Sequence, residues 1–260
     1  MRWQGHDPRH FRDLLIEITK REIKARYKQS ILGYAWVIVV PLLNITVLTL
    51  VFSYFVRIPT GNIPYPVFLF TGLIPWTFTA NSLISSTSSL VGNSSLITKI
   101  YLPTEVFPIS TVLTKFIDFF LTVLIGVVLV LIFGIKLHPL LIYLPLIFVV
   151  QFLLTLGVSF FLSALNVFYR DIENVMGVMV TIWMYLSPVL YPQELIPTSL
   201  LPIYNLNPMA SILGAYRNTI LYGVPPAWPS FIYSMTVSLL IFIAGLLFFK
   251  HRSRYFADVI

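Results

Sequence analysis

The sequence predicts an all-α polytopic membrane protein with six transmembrane helices, on the evidence of its composition, its apolar stretches and the placement of its basic residues. Of its 260 residues, 57% are hydrophobic and only 10% are charged, and the mean hydropathy is +0.86. An average soluble domain carries roughly 25% charged residues, so this chain has too few charges to cover a soluble surface. The composition therefore argues against a soluble enzyme, a nucleic-acid-binding protein and a disordered chain.

Six stretches are apolar and most approach the roughly 20 residues that cross the bilayer hydrocarbon. The predicted spans cover approximately residues 34–56, 65–92, 108–133, 140–165, 175–190 and 229–249. The fifth span is short, and the second has an unusually polar second half. We therefore predict a six-span transmembrane domain over residues 34–260, preceded by a cytoplasmic segment over residues 1–33.

The distribution of Lys and Arg predicts that both termini lie in the cytoplasm, as expected for a multi-pass protein of the cytoplasmic (inner) membrane. With six crossings, thirteen basic residues lie on the side of the N-terminus and three on the opposite side. An odd number of crossings would place the two strongest basic clusters on opposite faces. The charges therefore favour an even number of spans.

The segment before the first span predicts an amphipathic helix over His10–Leu32. Apolar residues recur there at near-helical spacing, with Lys and Arg on the other face. Such a helix is expected to lie in the cytoplasmic headgroup layer.

The connection between the fifth and sixth spans, Tyr191–Trp228, is rich in proline and still largely apolar. Asn207 as N-cap and Pro208 at the first helical position predict a helix start, and apolar residues then recur at helical spacing up to Gly223. This helix is too short to cross the membrane. We predict short re-entrant or interfacial helices on the outer side.

Residues that carry chemistry are scarce. The chain has no cysteine, its four histidines have no metal-ligand spacing, and no span holds an acidic pair. No glycine is followed by lysine, so a phosphate-binding loop is absent. We expect no catalytic residue, no metal and no cofactor on this chain, so a separate subunit must hydrolyse ATP if transport is ATP-driven.

Two charged residues, Lys115 and Asp118, lie three positions apart within the third predicted span. They are compatible with an ion relay, or with a mutually compensating pair near the cytoplasmic end whose lysine reaches the headgroups. A relay normally needs more than one membrane carboxylate, which favours the compensating pair.

Hydroxyl and amide residues form one face of the second predicted span: Ser82, Ser86, Ser89 and Asn93. Small polar residues permit close helix packing, which is one interpretation. The wall of a hydrated translocation path is the other, and the sequence does not decide between them.

Four segments carry a resemblance to a known family. They are Arg12–Leu43 (RDLLIEITKREIKARYKQSILGYAWVIVVPLL), Asn93–Ser110 (NSSLITKIYLPTEVFPIS), Asn166–Val175 (NVFYRDIENV) and Ser187–Gly223, with SPVLYPQELIP and YNLNPMASILGAYRNTILYG. In order and spacing they resemble permease subunits of type-2 ABC exporters, in particular those that export O-antigen, capsular polysaccharide or teichoic acid.

The resemblance implies a homodimer bound to two copies of a cytoplasmic ATP-binding subunit, which would hold ATP and Mg, and a lipid-linked polysaccharide as substrate. It implies that residues 21–33 form an interface helix, with Arg21, Lys24 and Tyr27 near the ATPase. It also implies that residues 195–221 form two short outer helices. The residues expected in the outer hairpin are Ser187, Pro188, Tyr191, Asn207, Pro208, Tyr216 and Arg217.

The coupling segment implied by the resemblance, residues 96–108, also has physical support. Its centre, Lys99, Ile100, Tyr101, Leu102 and Pro103, places apolar and aromatic residues in a short cytoplasmic connection. A loop that inserts into a partner's groove needs such residues, and a solvated loop does not. The alternative is the irregular start of the third span.

The pair Arg170 and Asp171 has two interpretations: a contact with the ATPase, or a basic cap of the fourth span with its counter-ion. Other function classes also remain open at this point, namely a type-2 permease for a small drug or lipid, a secondary transporter and an intramembrane enzyme. The absence of clustered His, Asp or Glu in the spans argues against the enzyme, and the absence of repeat symmetry and of a carboxylate relay argues against the secondary transporter.

Overall fold

The computed structural model describes residues 8–27, 33–99 and 102–260, and within these ranges every regular element is helical. The helices are α1 Pro8–Tyr27, α2 Trp36–Thr49, α3 Tyr65–Thr87, α4 Ser94–Lys99, α5 Val106–Ile132, α6 Leu144–Phe168, α7 Asp171–Tyr185, α8 Leu201–Tyr204, α9 Pro208–Arg217, α10 Trp228–Arg252 and α11 Phe256–Val259. Wider π-helical turns extend α2 to Phe55 and α9 to Tyr222.

Five helical segments of the described residues are long and apolar enough to cross a membrane: Gly33–Phe55, Tyr65–Thr87, Val106–Ile132, Pro139–Phe168 and Trp228–Val259. The remaining predicted span, 175–190, falls on α7 and the turn after it. Helix α7 has 15 residues and is therefore about 22 Å long, which is shorter than the roughly 30 Å hydrocarbon core.

Helix α3 is the innermost of these segments. In an 18-residue stretch of α3, 83% of the residues are buried, whereas in an equally long stretch of Gly33–Phe55 only 6% are buried. Its principal neighbours are α5 and α6, with α7, α9 and α2 also in contact. Helix α3 can therefore carry more polar residues than the other candidate spans, because the protein covers them instead of lipid.

The first and last helices meet in one apolar cluster, here called the terminal cluster. It contains Ile18 of α1, Phe107 of α5, Phe249 of α10 and Phe256 of α11, and the rings of Phe249 and Phe256 pack edge to face at 5.3 Å. The first and last described helices therefore meet at one end of the bundle, here called the terminal end.

Helices α6 and α10 are parallel and very close together. Tyr143 contacts Trp228 at the opposite, distal end, and Phe161 contacts Phe248 towards the terminal end. Midway, a Cβ on Gly245 would lie 2.3 Å from the carbonyl oxygen of Gly157, and a Cβ on Gly157 would lie 2.6 Å from the Phe242 backbone. Two glycines thus set the spacing of this pair, as small residues do in membrane helix packing.

The N-terminal helix α1 is shorter in the described residues than the predicted 10–32, since 28–32 lie outside them. Its apolar side packs against α5 and the terminal cluster, where Ile18 is buried and Phe11, Leu14 and Leu15 are half-buried. The face assigned to the headgroup layer is therefore covered by the chain itself, because α5 presents a matching apolar surface.

The contact between α6 and α10 yields a stability prediction. Gly245→Ala forces the two backbones apart, so we expect it to lower the stability of the folded protein by about 1–3 kcal/mol. The midpoint of thermal unfolding in detergent measures this change. The control is Gly177→Ala, since nothing lies within 4 Å of a Cβ at that helical position. Equal midpoints for the two variants would contradict the close packing.

Candidate substrate path and coupling surfaces

Polar contacts fix α1 along the first turns of α5. The carboxylate of Glu22 accepts hydrogen bonds from the hydroxyls of Ser110 at 3.0 Å, Thr111 at 3.3 Å and Thr114 at 3.2 Å. One turn further along both helices, Arg26 forms an ion pair with Asp118. Helix α1 therefore runs beside α5 over about three turns, with its register set by carboxylates on both helices.

The surroundings of Glu22 change its acidity. Burial raises the pKa of this carboxyl, and the three hydroxyl hydrogen bonds and neighbouring Arg21 oppose that shift only in part. The sequence analysis did not single out Glu22. The available signal was its position four residues after Ile18, which places an acidic side chain on the apolar side of α1.

The ion pair of Asp118 joins it to α1 and not directly to Lys115, so the suggested pair within α5 has no ion pair of its own in the described residues. Asp118 pairs with Arg26, 92 residues earlier in the chain. Lys115 Nζ has no hydrogen-bond or ion-pair partner in the described ranges. The sequence suggested the local pair because i,i+3 neighbours are visible in sequence, whereas a partner on a separate helix is not.

The predicted coupling residues lie at the terminal end in the described part of the chain. Arg21, Lys24, Lys99, Arg170 and Asp171 are exposed, and Arg21 also donates a hydrogen bond to the side chain of Asn93.

The coupling segment itself is described in part. Leu102 and Pro103 are half-buried, and Leu102 packs against the terminal cluster. Ile100 and Tyr101 lie outside the described residues, and so does the side chain of Tyr27. The contact of this segment with an ATPase stays a prediction.

The predicted path-lining face of α3 is turned into the protein. Ser82 and Ser86 are fully buried and Ser89 is 6% exposed. Ser89 donates to the carbonyl of Ser86 at 2.7 Å, and Asn93 donates to the carbonyl of Ser89 at 2.8 Å. This burial within one chain favours the packing interpretation, and the lining of a path by these residues stays a prediction.

A different row of α3 residues faces the open side of the helix. Asn81 is exposed, Thr77 and Ser88 are half-buried, and Ile84 between them is exposed. These residues recur every three or four positions and so share one face. The sequence analysis did not single out this row, because hydroxyl and amide residues occur on several faces of the helix.

A cavity of about 480 Å³ lies beside this open row, between α2, α3 and α5. Polar side chains contribute to its wall from all three helices: Asn44, Thr77, Asn81, Lys115, Asp118 and Thr122. Arg26 reaches it from the end of α1, and apolar side chains such as Val40 and Phe78 complete the wall.

A buried amide joins three helices at mid-depth. Gln151 of α6 donates to the Pro75 carbonyl at 2.6 Å and to the Thr79 hydroxyl at 2.9 Å, and its carbonyl accepts from the Tyr216 hydroxyl at 2.9 Å. Thr155 lies 3.2 Å from Thr79, oxygen to oxygen. All four side-chain groups are satisfied inside the bundle, so α3, α6 and α9 are held in one arrangement.

The predicted N-cap at Asn207 is confirmed. Its side-chain oxygen accepts from the Met209 amide at 3.0 Å, and Pro208 is the first residue of α9. The same oxygen accepts from the indole of Trp183 at 3.1 Å, while the amide nitrogen donates to the hydroxyl of buried Ser187 at 2.8 Å. One side chain therefore caps α9 and ties it to the end of α7.

Arg217, predicted in the outer connection, is 5% exposed. It donates to the Val189 carbonyl at 2.9 Å and lies 3.8 Å above the ring of Phe68. Gly72 leaves the necessary space, since a Cβ there would lie 2.6 Å from the guanidinium. Of the other predicted hairpin residues, Pro188 and Tyr216 are buried, and Tyr191 donates to the Tyr185 carbonyl.

Comparison with known proteins gives a consistent result. Residues 13–221 match the family described as ABC-2 type transporter. The chain is 33% identical over 252 residues to the O-antigen export system permease protein RfbA of Klebsiella pneumoniae, covering 95% of each. It is 32% identical over 255 residues to a protein of the same name from Myxococcus xanthus, covering 96% of each. It is 23% identical over 239 residues to the polysialic acid transport protein KpsM of Escherichia coli, covering 90% of this chain and 91% of KpsM.

The raised pKa of Glu22 predicts that the docking of α1 depends on pH. The ordinary pKa of a glutamate carboxyl is about 4.3. Between this pH and the raised pKa, Glu22 is protonated when α1 is docked and ionised when α1 is undocked. Docking is therefore strongest at low pH and weakens as the pH rises through this range. Hydrogen-exchange protection of α1, corrected for intrinsic exchange rates, measures the effect.

Glu22→Gln removes the titrating group, so its α1 protection should no longer change with pH over that range. Glu17→Gln is the matched control, because Glu17 is an exposed glutamate on the same helix, and it should keep the dependence. A pH dependence that persists in Glu22→Gln would contradict the assignment.

Proposed function

Because the chain belongs to the ABC-2 type transporter family, we propose that it is the membrane subunit of an ATP-driven exporter of lipid-linked polysaccharide in the cytoplasmic membrane. The observation that carries this proposal is the 32–33% identity to O-antigen export permeases over nearly the whole of both chains. The weaker similarity to a polysialic acid transport protein also concerns a polymer of sugars.

We propose six crossings, with the segment from α7 to Leu190 as the fifth. Helices α6 and α10 run in the same direction, so the chain between them must return to the distal end. Along this return, Trp183 contacts Trp76 midway down α3, and the Leu190 carbonyl accepts from Tyr65 at the first residue of α3. These contacts, and the meeting of both chain ends in the terminal cluster, support an even number of crossings.

We propose that α8 and α9 form a re-entrant hairpin on the outer side. Asn207, at the start of α9, contacts Trp183, which packs on Trp76. Trp76 lies eleven residues into α3, roughly 16 Å along its axis from the distal end. Helix α9 and its π-helical extension then run towards the distal end. There Gly223 lies beside His138 of the α5–α6 connection. Backbone at this depth is tolerated where protein covers it, and α9 is largely buried.

The motor is proposed to be a separate ATP-binding subunit, present twice and holding ATP and Mg, on a homodimer of this chain. Support comes from the absence of any Gly-Lys phosphate loop in the sequence and from the exposed charged residues of the terminal end. The basic bias supports a cytoplasmic location for this end, so both termini would face the motor.

Export is tested in cells that make the polysaccharide but lack its permease. We expect the chain, expressed with its ATP-binding subunit, to restore polysaccharide at the cell surface, as measured with a polymer-specific antibody. Polymer that stays inside the cell while the chain is present in the membrane would contradict the proposed function.

Coupling is tested in the same cells by a matched pair of charge reversals. Arg170→Glu alters an exposed basic residue at the terminal end, and we expect it to lower surface polysaccharide by about tenfold or more, since close charge pairs across interfaces are worth on the order of 1.5–7 kcal/mol. Lys136→Glu alters an exposed basic residue of the α5–α6 connection and should leave export unchanged. Equal effects of the two would contradict the placement of the motor.

A further inference from the structure

The cavity between α2, α3 and α5 is lined by polar groups whose hydrogen-bonding needs lipid tails cannot meet. Amides from Asn44 and Asn81, a hydroxyl from Thr77 and three charged groups contribute to about 480 Å³ of space. Polar and ionisable groups are expensive inside a membrane and are found where they meet water or a ligand. A cavity with this wall is therefore a candidate binding site.

The depth of the cavity is set by α5 and α1. Helix α5 has 27 residues and is about 40 Å long, which exceeds the roughly 30 Å hydrocarbon core. Its first three turns run beside α1, up to the Arg26–Asp118 ion pair. Lys115 lies nine residues after the start of α5, about 14 Å along the axis. These values place Lys115 near the terminal-side boundary of the hydrocarbon, and the cavity extends from there to Thr77, about midway along α3.

The charges in the wall leave one cation in excess. Arg26 and Asp118 pair with each other, and their side chains are 30% and 25% exposed. Lys115 has no ion-pair partner within the described ranges. Glu22, the nearest other carboxylate, is not part of the wall and accepts hydrogen bonds from hydroxyls of α5.

We propose that this cavity binds the phosphate group of a lipid, with Lys115 as its cation and the amides of Asn44 and Asn81 as further donors. Basic pockets between membrane helices on the cytoplasmic side are suited to anionic head groups. The apolar part of the wall, with Val40, Leu73 and Phe78, suits the first carbons of the attached chain.

The phosphate has two possible sources, a bulk anionic phospholipid and the lipid carrier of the export substrate. The assignment rests on the proposed function for the cytoplasmic orientation of the terminal end. Binding is measured without export, so a failure to export polysaccharide and a failure to bind the lipid are separate results.

The test uses the purified complex of this chain with its ATP-binding subunit, titrated in detergent and analysed by native mass spectrometry. The probes are phosphatidylglycerol, an isoprenoid-alcohol phosphate and diacylglycerol. We expect both phosphate lipids to bind and diacylglycerol not to bind. A higher affinity for the isoprenoid phosphate identifies the substrate carrier as the occupant, and equal affinities identify a general lipid-phosphate site.

Variants assign the binding to this cavity. Lys115→Gln should weaken binding of the phosphate lipids about tenfold, because one charged donor is lost, and Lys115→Arg should restore it. The matched control, Lys250→Gln, removes an exposed lysine at the end of α10 and should bind normally. The proposal is overturned if Lys115→Gln binds like the unaltered protein, if Lys250→Gln loses as much affinity, if diacylglycerol binds equally, or if millimolar inorganic phosphate displaces the lipid.

Discussion

The whole arrangement depends on one constraint: polar groups at membrane depth must find their partners inside the protein. Helix α3 carries more Ser and Thr residues than the other candidate spans, and α5, α6, α7 and α9 surround it. Most of its inward hydroxyls donate to carbonyls three or four residues earlier, as Ser86 and Thr87 both do to Leu83. Gln151 satisfies Thr79 from a neighbouring helix. Within one chain, this packing leaves one side of α3 open, the side that carries Asn81.

The same constraint organises the two ends of the bundle. At the terminal end, Glu22 and Asp118 hold α1 against α5, so movement of α1 by a motor subunit would be transmitted directly to a membrane helix. At the distal end, Arg217 is buried between the Val189 carbonyl and the ring of Phe68, which fixes α9 to α3. The cavity with Lys115, which has no ion-pair partner among the described residues, lies next to the first of these contacts. Lipid binding and motor contact would thus act on the same pair of helices.

Composition and charge bias predicted the helical class and five of the long apolar segments, because apolar length and basic flanks are local properties of the sequence. The cap at Asn207 was predictable for the same reason. The ion pair between Arg26 and Asp118 was not, since it joins residues 92 positions apart. Nor could the sequence tell the buried serines of α3 from the open row with Asn81, because both rows have similar residue types. Which row faces inward is decided by the helices that pack on α3.

The placement of α3 is tested most directly by cysteine accessibility, since the chain has no cysteine of its own. Asn81→Cys and Ser82→Cys are adjacent in sequence but differ in exposure, and each is treated with a water-soluble maleimide in membranes that hold the assembled exporter. We predict that Asn81→Cys reacts, because this position is exposed and lines the open cavity, and that Ser82→Cys is protected. Reaction at Ser82→Cys with protection of Asn81→Cys would contradict this account and would place the serine row on the translocation path.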